Sequence, residues 1–331
     1  GGGAADVGVA TIFNDTAALT WGLQASKVNN SFCTGRGMRV AVLDTGLDFH
    51  HPDFAGRSIL SHSFVPGIAT AQDGHGHGTH CIGTSCGPLH PPGNTRRYGI
   101  AHQAMILVGK VLSDQGSGQT GWILQGINWA VANRATVISM SLGSRVAVGQ
   151  TFSPAYEQAA QAALNAQSLI VAAAGNEGNS PVGSPANCPS VMAVAAVGNN
   201  LQRAPFSCIG INPNGGEVNI AGPGVNVFST VPMAIRYGMK SGTSMATPHV
   251  AGIAALWAQN SGLRGMALWK KLISTALNIG QTPQQVGSGL VQAPRCLPIL
   301  PPVPHPVPLP QPIPIPDPGP IHGLLPTPAE G

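Results

Sequence analysis

The stretch "MRVAVLDTG", residues 38–46, carries four consecutive apolar residues, Val40 to Leu43, straight into Asp44 and a Thr-Gly pair. So short and continuous a run lacks both the 3.6-residue period of an amphipathic helix and the alternation of a half-buried strand; it suits a strand covered on both faces. Five further runs read alike: "AMILVGKVL" (104–112), "TVISMSLG" (136–143), "SLIVAAAGN" (168–176), "VMAVAAVG" (191–198) and "VNVFSTV" (225–231). Between them lie helical patterns, "GWILQGINWAVANR" (121–134) and "PAYEQAAQAALNAQ" (154–167). Continuous strands alternating with helices predict an α/β fold, a mostly parallel central sheet with helices on both faces in three layers. Ligands of such sheets bind beyond the carboxyl ends of the strands. Asp44, Gly143 and Asn176 stand at those ends.

Composition narrows the function. Of 331 residues only 8% are charged, against about 25% in an average domain, while glycine numbers 44 and proline 30. The net charge of +4 is scattered, with no basic run longer than Arg96-Arg97 or Lys270-Lys271, so nucleic acid is not an expected partner. No apolar stretch reaches the roughly 18 residues of a membrane span. The opening "GGGAADVGVA" has no basic region or apolar signal core, and any targeting segment is expected to have been removed or left out. Cysteines 33, 81, 86, 188, 208 and 296 form no C-x-x-C pair, which argues against a zinc ribbon or thioredoxin-type site and leaves the pairing open.

Three regions are expected: an N-terminal extension, 1–15; a folded body, 16–297; and a tail, 298–331. In the tail proline alternates with Val, Leu and Ile, which forbids helix or central strand. At ~3.1 Å per residue it could extend ~90 Å as a spacer or a docking segment.

Ser244 falls in "SGTSMATPHVAGIAALWAQN" (241–260), where small residues lead into a long apolar helix. A helix N-terminus offers unpaired N–H groups to developing negative charge, but a serine needs a base to become a nucleophile. The order Ser, acid, His of α/β-hydrolases is excluded, because only Asp317 and Glu330 follow Ser244. Upstream, Asp44 ends a buried strand, where it can orient an imidazole; Asp48 and Asp53 are weaker candidates. "DGHGHGTHCIG" (73–83) holds His75, His77 and His80. A metal cluster of the H-x-H-x-D-H kind would need an acid where Thr79 stands.

The blocks "VAVLDTGLDFHHPDF", "GHGHGTHCIG" and "SGTSMATPHVAGIAAL", in that order, resemble those of the subtilisin-like serine proteases. The resemblance runs from about Trp21 to Ala293 and includes "SGQTGWILQGINWAV" and "VAAAGNEG". It implies a serine endopeptidase acting through an acyl-enzyme, with Ser244 as nucleophile, His77 as general base and acid, and Asp44 as the partner of His77. Asn176 and the Ser244 N–H would form the oxyanion hole, assisted by the Thr243 hydroxyl. His75 and His80 become scaffold residues, and His249 packs behind the nucleophile.

The same resemblance implies that Gly116, Ser117 and Gly118 on one side and Ser141, Leu142 and Gly143 on the other pair with an extended peptide. Gly143 and Gly183 would line a pocket for a large apolar side chain, near Glu177, with Thr120 in place of an aromatic residue and Ser184-Pro185 as a cis turn. It further implies a structural calcium ion held by Asp53 and Asn94, no catalytic metal, a Cys188–Cys208 bridge, a thiol at Cys81 beside the catalytic histidine, a cleaved prodomain and secretion. The partners would be protein or peptide substrates. A processing protease or peptide ligase on the same residues, and a protease-like scaffold with a docking tail, are the alternative functions.

Overall fold

The computed structural model describes residues 12–296; the proline-rich tail and most of the expected N-terminal extension lie outside them. Strand β1 (Arg39–Asp44) is formed around the apolar run Val40 to Leu43. It joins β2 (Ile59–Ser63), β3 (Met105–Lys110), β4 (Val137–Met140), β5 (Leu169–Ala173), β6 (Met192–Val197) and β7 (Ile220–Pro223) in one parallel sheet of order β2-β3-β1-β4-β5-β6-β7. The helices are α1 (Trp21–Ala25), α2 (His77–Cys86), α3 (Thr120–Ala132), α4 (Pro154–Asn165), α5 (Thr243–Ser261), α6 (Gly265–Thr275) and α7 (Pro283–Val286).

Two apolar cores explain the continuous strands. Val40 and Val42 of β1, with Ile106, Val108, Val171 and Val194, pack on α2, α5 and α6 through Ile82, Val250, Ile253 and Leu268. The alternate residues Ala41, Leu43, Leu107, Ile138 and Ile170 pack on α3 and α4 through Ile123, Ile127 and Ala160. Period-2 side-chain alternation thus feeds both faces, so no position along a central strand can be polar without cost. The three-layer expectation is met.

The sequence run at 225–231 folds differently from the other five. Its strand β8 (Val227–Thr230) pairs antiparallel with β9 (Tyr237–Lys240) in a separate ribbon. Within the stretch read as an extension, Phe13 N–H donates to the Asn199 carbonyl at 2.9 Å and Asp15 accepts the Trp21 N–H at 2.7 Å.

The order of strands places the site. β1 lies between β3 and β4, so the chain leaves it in one direction and later crosses to its other side. A crevice forms at the carboxyl end of a strand flanked in this way, and that end is Asp44. Helix α5, buried on nearly all sides, points its first turn at the same crevice. Pro248 inside α5 has no N–H for the carbonyl of Ser244, four residues earlier. That carbonyl instead accepts from Ser141 Oγ at 2.8 Å and Cys81 Sγ at 3.4 Å. A break in the helix ladder therefore ties the first turn of α5 to the end of β4 and to the middle of α2.

Candidate active site

A cleft of about 730 Å³ opens along the carboxyl edge of the sheet. His77, Asn176, Ser244, Gly116, Ser117, Gly118, Ser141, Leu142, Gly143 and Gly183 all line it, as do Thr120 and Glu177. Asp44 lies beneath, 1% exposed, reaching the cleft through its partner: His77 Nδ1 and Asp44 Oδ1 stand 2.8 Å apart. Asp44 Oδ1 also accepts the Thr45 N–H at 2.7 Å.

Burial works against a charged His77, but the Asp44 carboxylate, with the Cys81 sulfur nearby and the hydrogen bond to Asp44, outweighs it. His77 is held well above the usual histidine value of 6.5. The ring is anchored at one nitrogen and, with its side chain 21% exposed, open toward the cleft. Ser244 Oγ donates to the Ser141 carbonyl at 3.2 Å.

Asn176 is held by its carbonyl oxygen. Oδ1 accepts the Thr243 N–H at 2.8 Å and the Thr243 hydroxyl at 3.0 Å. Because both partners donate, the Asn176 amide NH₂ faces away from them as a donor. Thr243, fully buried, therefore orients Asn176.

The two pocket glycines meet a tighter demand than room for substrate. Ser144 and Ser184 exchange backbone hydrogen bonds of 2.8 and 2.9 Å. A Cβ at Gly143 would stand 2.9 Å from the Ser184 oxygen, and one at Gly183 2.7 Å from the Ser144 oxygen. Glycine is what lets these segments approach. The Ser184–Pro185 peptide is cis.

The three histidines of residues 73–83 part company. His80 Nε2 bonds the Val227 carbonyl at 2.9 Å, buried, and burial pushes its pKa down to about 3. His75 is exposed on the cleft wall beside Gly116. His249, 1% exposed, donates from Nδ1 to the Met245 carbonyl at 2.8 Å. Among the described residues, the group of three or more potential metal ligands brought together is Asp44, His77 and Cys81.

Two expectations need correction. The disulfide joins Cys33 to Cys296, while Cys188 and Cys208 are buried free thiols. Cys188 Sγ faces the Ser153 carbonyl and Cys208 Sγ the Glu177 carboxylate, and burial pushes both pKa values up to about 12. The calcium donor set of Asp53 and Asn94 also does not fit. Tyr237 donates its hydroxyl to Asp53 at 2.9 and 3.1 Å, and Tyr98 donates to Asp53 Oδ2. Calcium asks for six to eight oxygens presenting lone pairs, whereas these phenols aim hydrogens at the carboxylate. Burial, then the charge of Asp53, raises the Tyr98 pKa and keeps that proton in place. Asn94 is exposed, with φ at 58°.

Motif reading passed over Asp73, 3% exposed. Oδ1 accepts from Thr45 Oγ1, His75 N–H and Gly76 N–H at 2.8, 2.9 and 2.7 Å. Oδ2 accepts from Thr79 N–H and Oγ1 at 2.9 and 2.7 Å. Its signal was an aspartate three residues before Gly76, a helix N-cap that has no side chain of its own to meet the first N–H groups.

A parallel α/β sheet with a serine at a helix N-terminus and a buried Asp–His pair in one crevice defines the class of hydrolases that act through an activated serine. The comparisons give the family. A family model described as the Subtilase family matches residues 35–289. The chain is 41% identical over 280 residues to Subtilisin Savinase of Lederbergia lenta, covering 83% of this chain and 97% of that protein. It is 40% identical to Subtilisin NAT of Bacillus subtilis subsp. natto, covering 81% and 68%. The solved structure of Sphericase superposes with a TM-score of 0.70 at 33% identity, covering 82% of this chain and 97% of that one. The protein belongs to the subtilase family and is a serine endopeptidase acting on protein substrates. Among the described residues no helix is long and apolar enough to cross a membrane.

Proposed function

We propose that Ser244, His77 and Asp44 form the catalytic triad and that Asn176 and the Ser244 N–H form the oxyanion hole. The observation that carries this reading is the 2.8 Å His77–Asp44 contact in the cleft that Ser244 also lines. A rotation about the Cα–Cβ bond takes Ser244 Oγ from the Ser141 carbonyl to His77 Nε2. The Ser244 proton passes to Nε2 as Oγ bonds the substrate carbonyl carbon, and the carbonyl electron pair moves to oxygen. The Asn176 amide and the Ser244 N–H meet that charge, which the ground state lacks. Collapse expels the amine, which takes the proton from His77. Water then repeats the steps on the acyl-enzyme to release the acid.

Substrate backbone pairs with 116–118 and 141–143 as an added strand, so side-chain preference rests on the pocket between Gly143 and Gly183. That pocket favours large apolar residues, and Glu177 at its rim tolerates a basic one. The Cys33–Cys296 bridge supports an oxidising, extracytoplasmic location, and a removable prodomain would act as inhibitor and folding aid. A fluorophosphonate probe tests the assignment: the native protein takes up one label, Ser244→Ala none, and Asp44→Ala little. Undiminished labelling of Ser244→Ala would overturn it.

A further inference from the structure

Asp44 ends β1 and His77 opens α2, so their 2.8 Å contact is only as exact as the join between those two elements. The join is a closed ring of hydrogen bonds. Asp44 Oδ1 accepts from both the Thr45 N–H and His77 Nδ1. Thr45 Oγ1 accepts the Gly78 N–H at 2.8 Å and donates its own proton to Asp73 Oδ1 at 2.8 Å. Asp73 in turn takes the N–H groups of His75, Gly76 and Thr79, on both sides of His77. Lys110 Nζ, with its side chain fully buried, closes the far side by donating to the Thr45 carbonyl at 2.5 Å and to Asp114 at 2.6 Å.

We propose that Asp73, acting through the Thr45 hydroxyl, is the positioning residue that sets the geometry of the Asp44–His77 pair, beyond its service as a helix cap. A cap alone would need only the α2 donors; the bond to Thr45 reaches into a different element. The steric frame leaves that bond little freedom. A Cβ at Gly78 would stand 2.3 Å from the Gly46 oxygen, so the first turn of α2 already touches the loop after β1. Five donors converge on Asp73 and its own side chain donates nothing, which only a carboxylate can satisfy. In Asp73→Asn one oxygen becomes an NH₂ facing N–H groups. Thr45→Val keeps the shape of the side chain and removes only the hydroxyl.

The inference rests on the triad reading, so phosphonate titration of Ser244 comes first and counts competent sites independently. The full chain is then assayed as wild type, Thr45→Val, Thr45→Ser and Asp73→Asn, with kcat and KM per titrated site and the pH profile of kcat/KM. Charged or titratable neighbours of His77 are Asp44 on β1, Cys81 and His80 on α2, and His75 before it. All four remain in every variant. Thr45→Val and Asp73→Asn lower kcat by up to about 10²-fold, the scale of an ångström of misplacement, with KM within about twofold. The acid limb of Thr45→Val, which changes no charge, moves to lower pH, because a loosened Asp44 contact no longer holds the His77 proton as firmly; in Asp73→Asn the loss of the Asp73 charge adds to that shift. Thr45→Ser recovers the wild-type profile. Unchanged kcat per titrated site and an unmoved acid limb in Thr45→Val and Asp73→Asn, whatever their melting temperatures, would overturn the proposal and leave Asp73 a cap.

Discussion

Asp44 and Asp53 stand nine residues apart in one block of sequence, and each matches a family position with an assigned task. Asp44 keeps the partner that task requires, a histidine at 2.8 Å in the crevice. Asp53 has lost its companions: where a cation would need open oxygens, the chain places the hydroxyls of Tyr98 and Tyr237. An identical residue at a matching position carries its role across only if the groups that complete the chemistry come with it. For Asp44 those groups sit in short motifs. For Asp53 they come from the loop 87–99 and the β8–β9 ribbon, outside the three short motif blocks.

The largest effect is expected on the Asp44 side. Asp44→Asn keeps the side-chain volume but turns a charge into an amide, so that His77 loses both the carboxylate's field and its preferred tautomer. A fall in kcat of about 10⁴-fold is expected, with the acid limb of kcat/KM moving to lower pH because the carboxylate is what holds His77 above 6.5. Stopped assays over pH 5–9 measure both. A drop below tenfold would mean that Asp44 is no more a catalytic partner than Asp53.

On the Asp53 side the effect falls on stability. Tyr98→Phe leaves a buried carboxylate short of a donor, at a cost of about 1–3 kcal/mol, read as a shift in the urea midpoint. The Ser244→Ala background avoids self-digestion. Any fall in melting temperature caused by a chelator should be equally large in that background and with Asp53→Asn added. A chelator effect that vanishes with Asp53→Asn would show that this carboxylate holds a cation after all, and the contrast with Asp44 would collapse.

How far the sequence could be read follows the same division. The buried strands β1, β3, β4, β5 and β6 were legible because both their faces are covered, leaving a short continuous apolar run. The edge strands β2, "ILSHS", and β7, "IAGP", carry no such run. The run at 225–231 looked like its fellows, but its partner is Tyr237–Lys240, close by in sequence, and the pairing is antiparallel. Asp44, His77, Asn176 and Ser244 were legible as motif positions; the last three line one cleft and Asp44 lies beneath it against His77. Asp73 stood in plain view inside "DGHGHGTH", yet its importance lies in Thr45, from another element. Cys33 and Cys296 are separated by 263 residues, and no local pattern announces a contact that the packing of the whole chain creates.

The smallest expected effect separates the two aspartates by pH. Each raises the pKa of its partner, His77 for Asp44 and Tyr98 for Asp53, and a raised folded pKa stabilises fully below the unfolded value. For His77 that value is about 6.5, so its contribution is complete in mild acid and fades as pH climbs through the elevated folded pKa. The stability gap between Ser244→Ala and the Asp44→Asn, Ser244→Ala double variant should therefore be widest below pH 6 and narrow only as pH climbs through the elevated folded pKa of His77. For Tyr98 the unfolded value is about 10, so its contribution holds across neutrality and is lost only above pH 10. Tyr98→Phe should flatten the alkaline decline while lying lower at pH 7. Urea midpoints between pH 5 and 11 trace both curves. Gaps that run parallel across the whole range would mean that neither aspartate controls its partner's proton, and that the difference between them is one of packing alone.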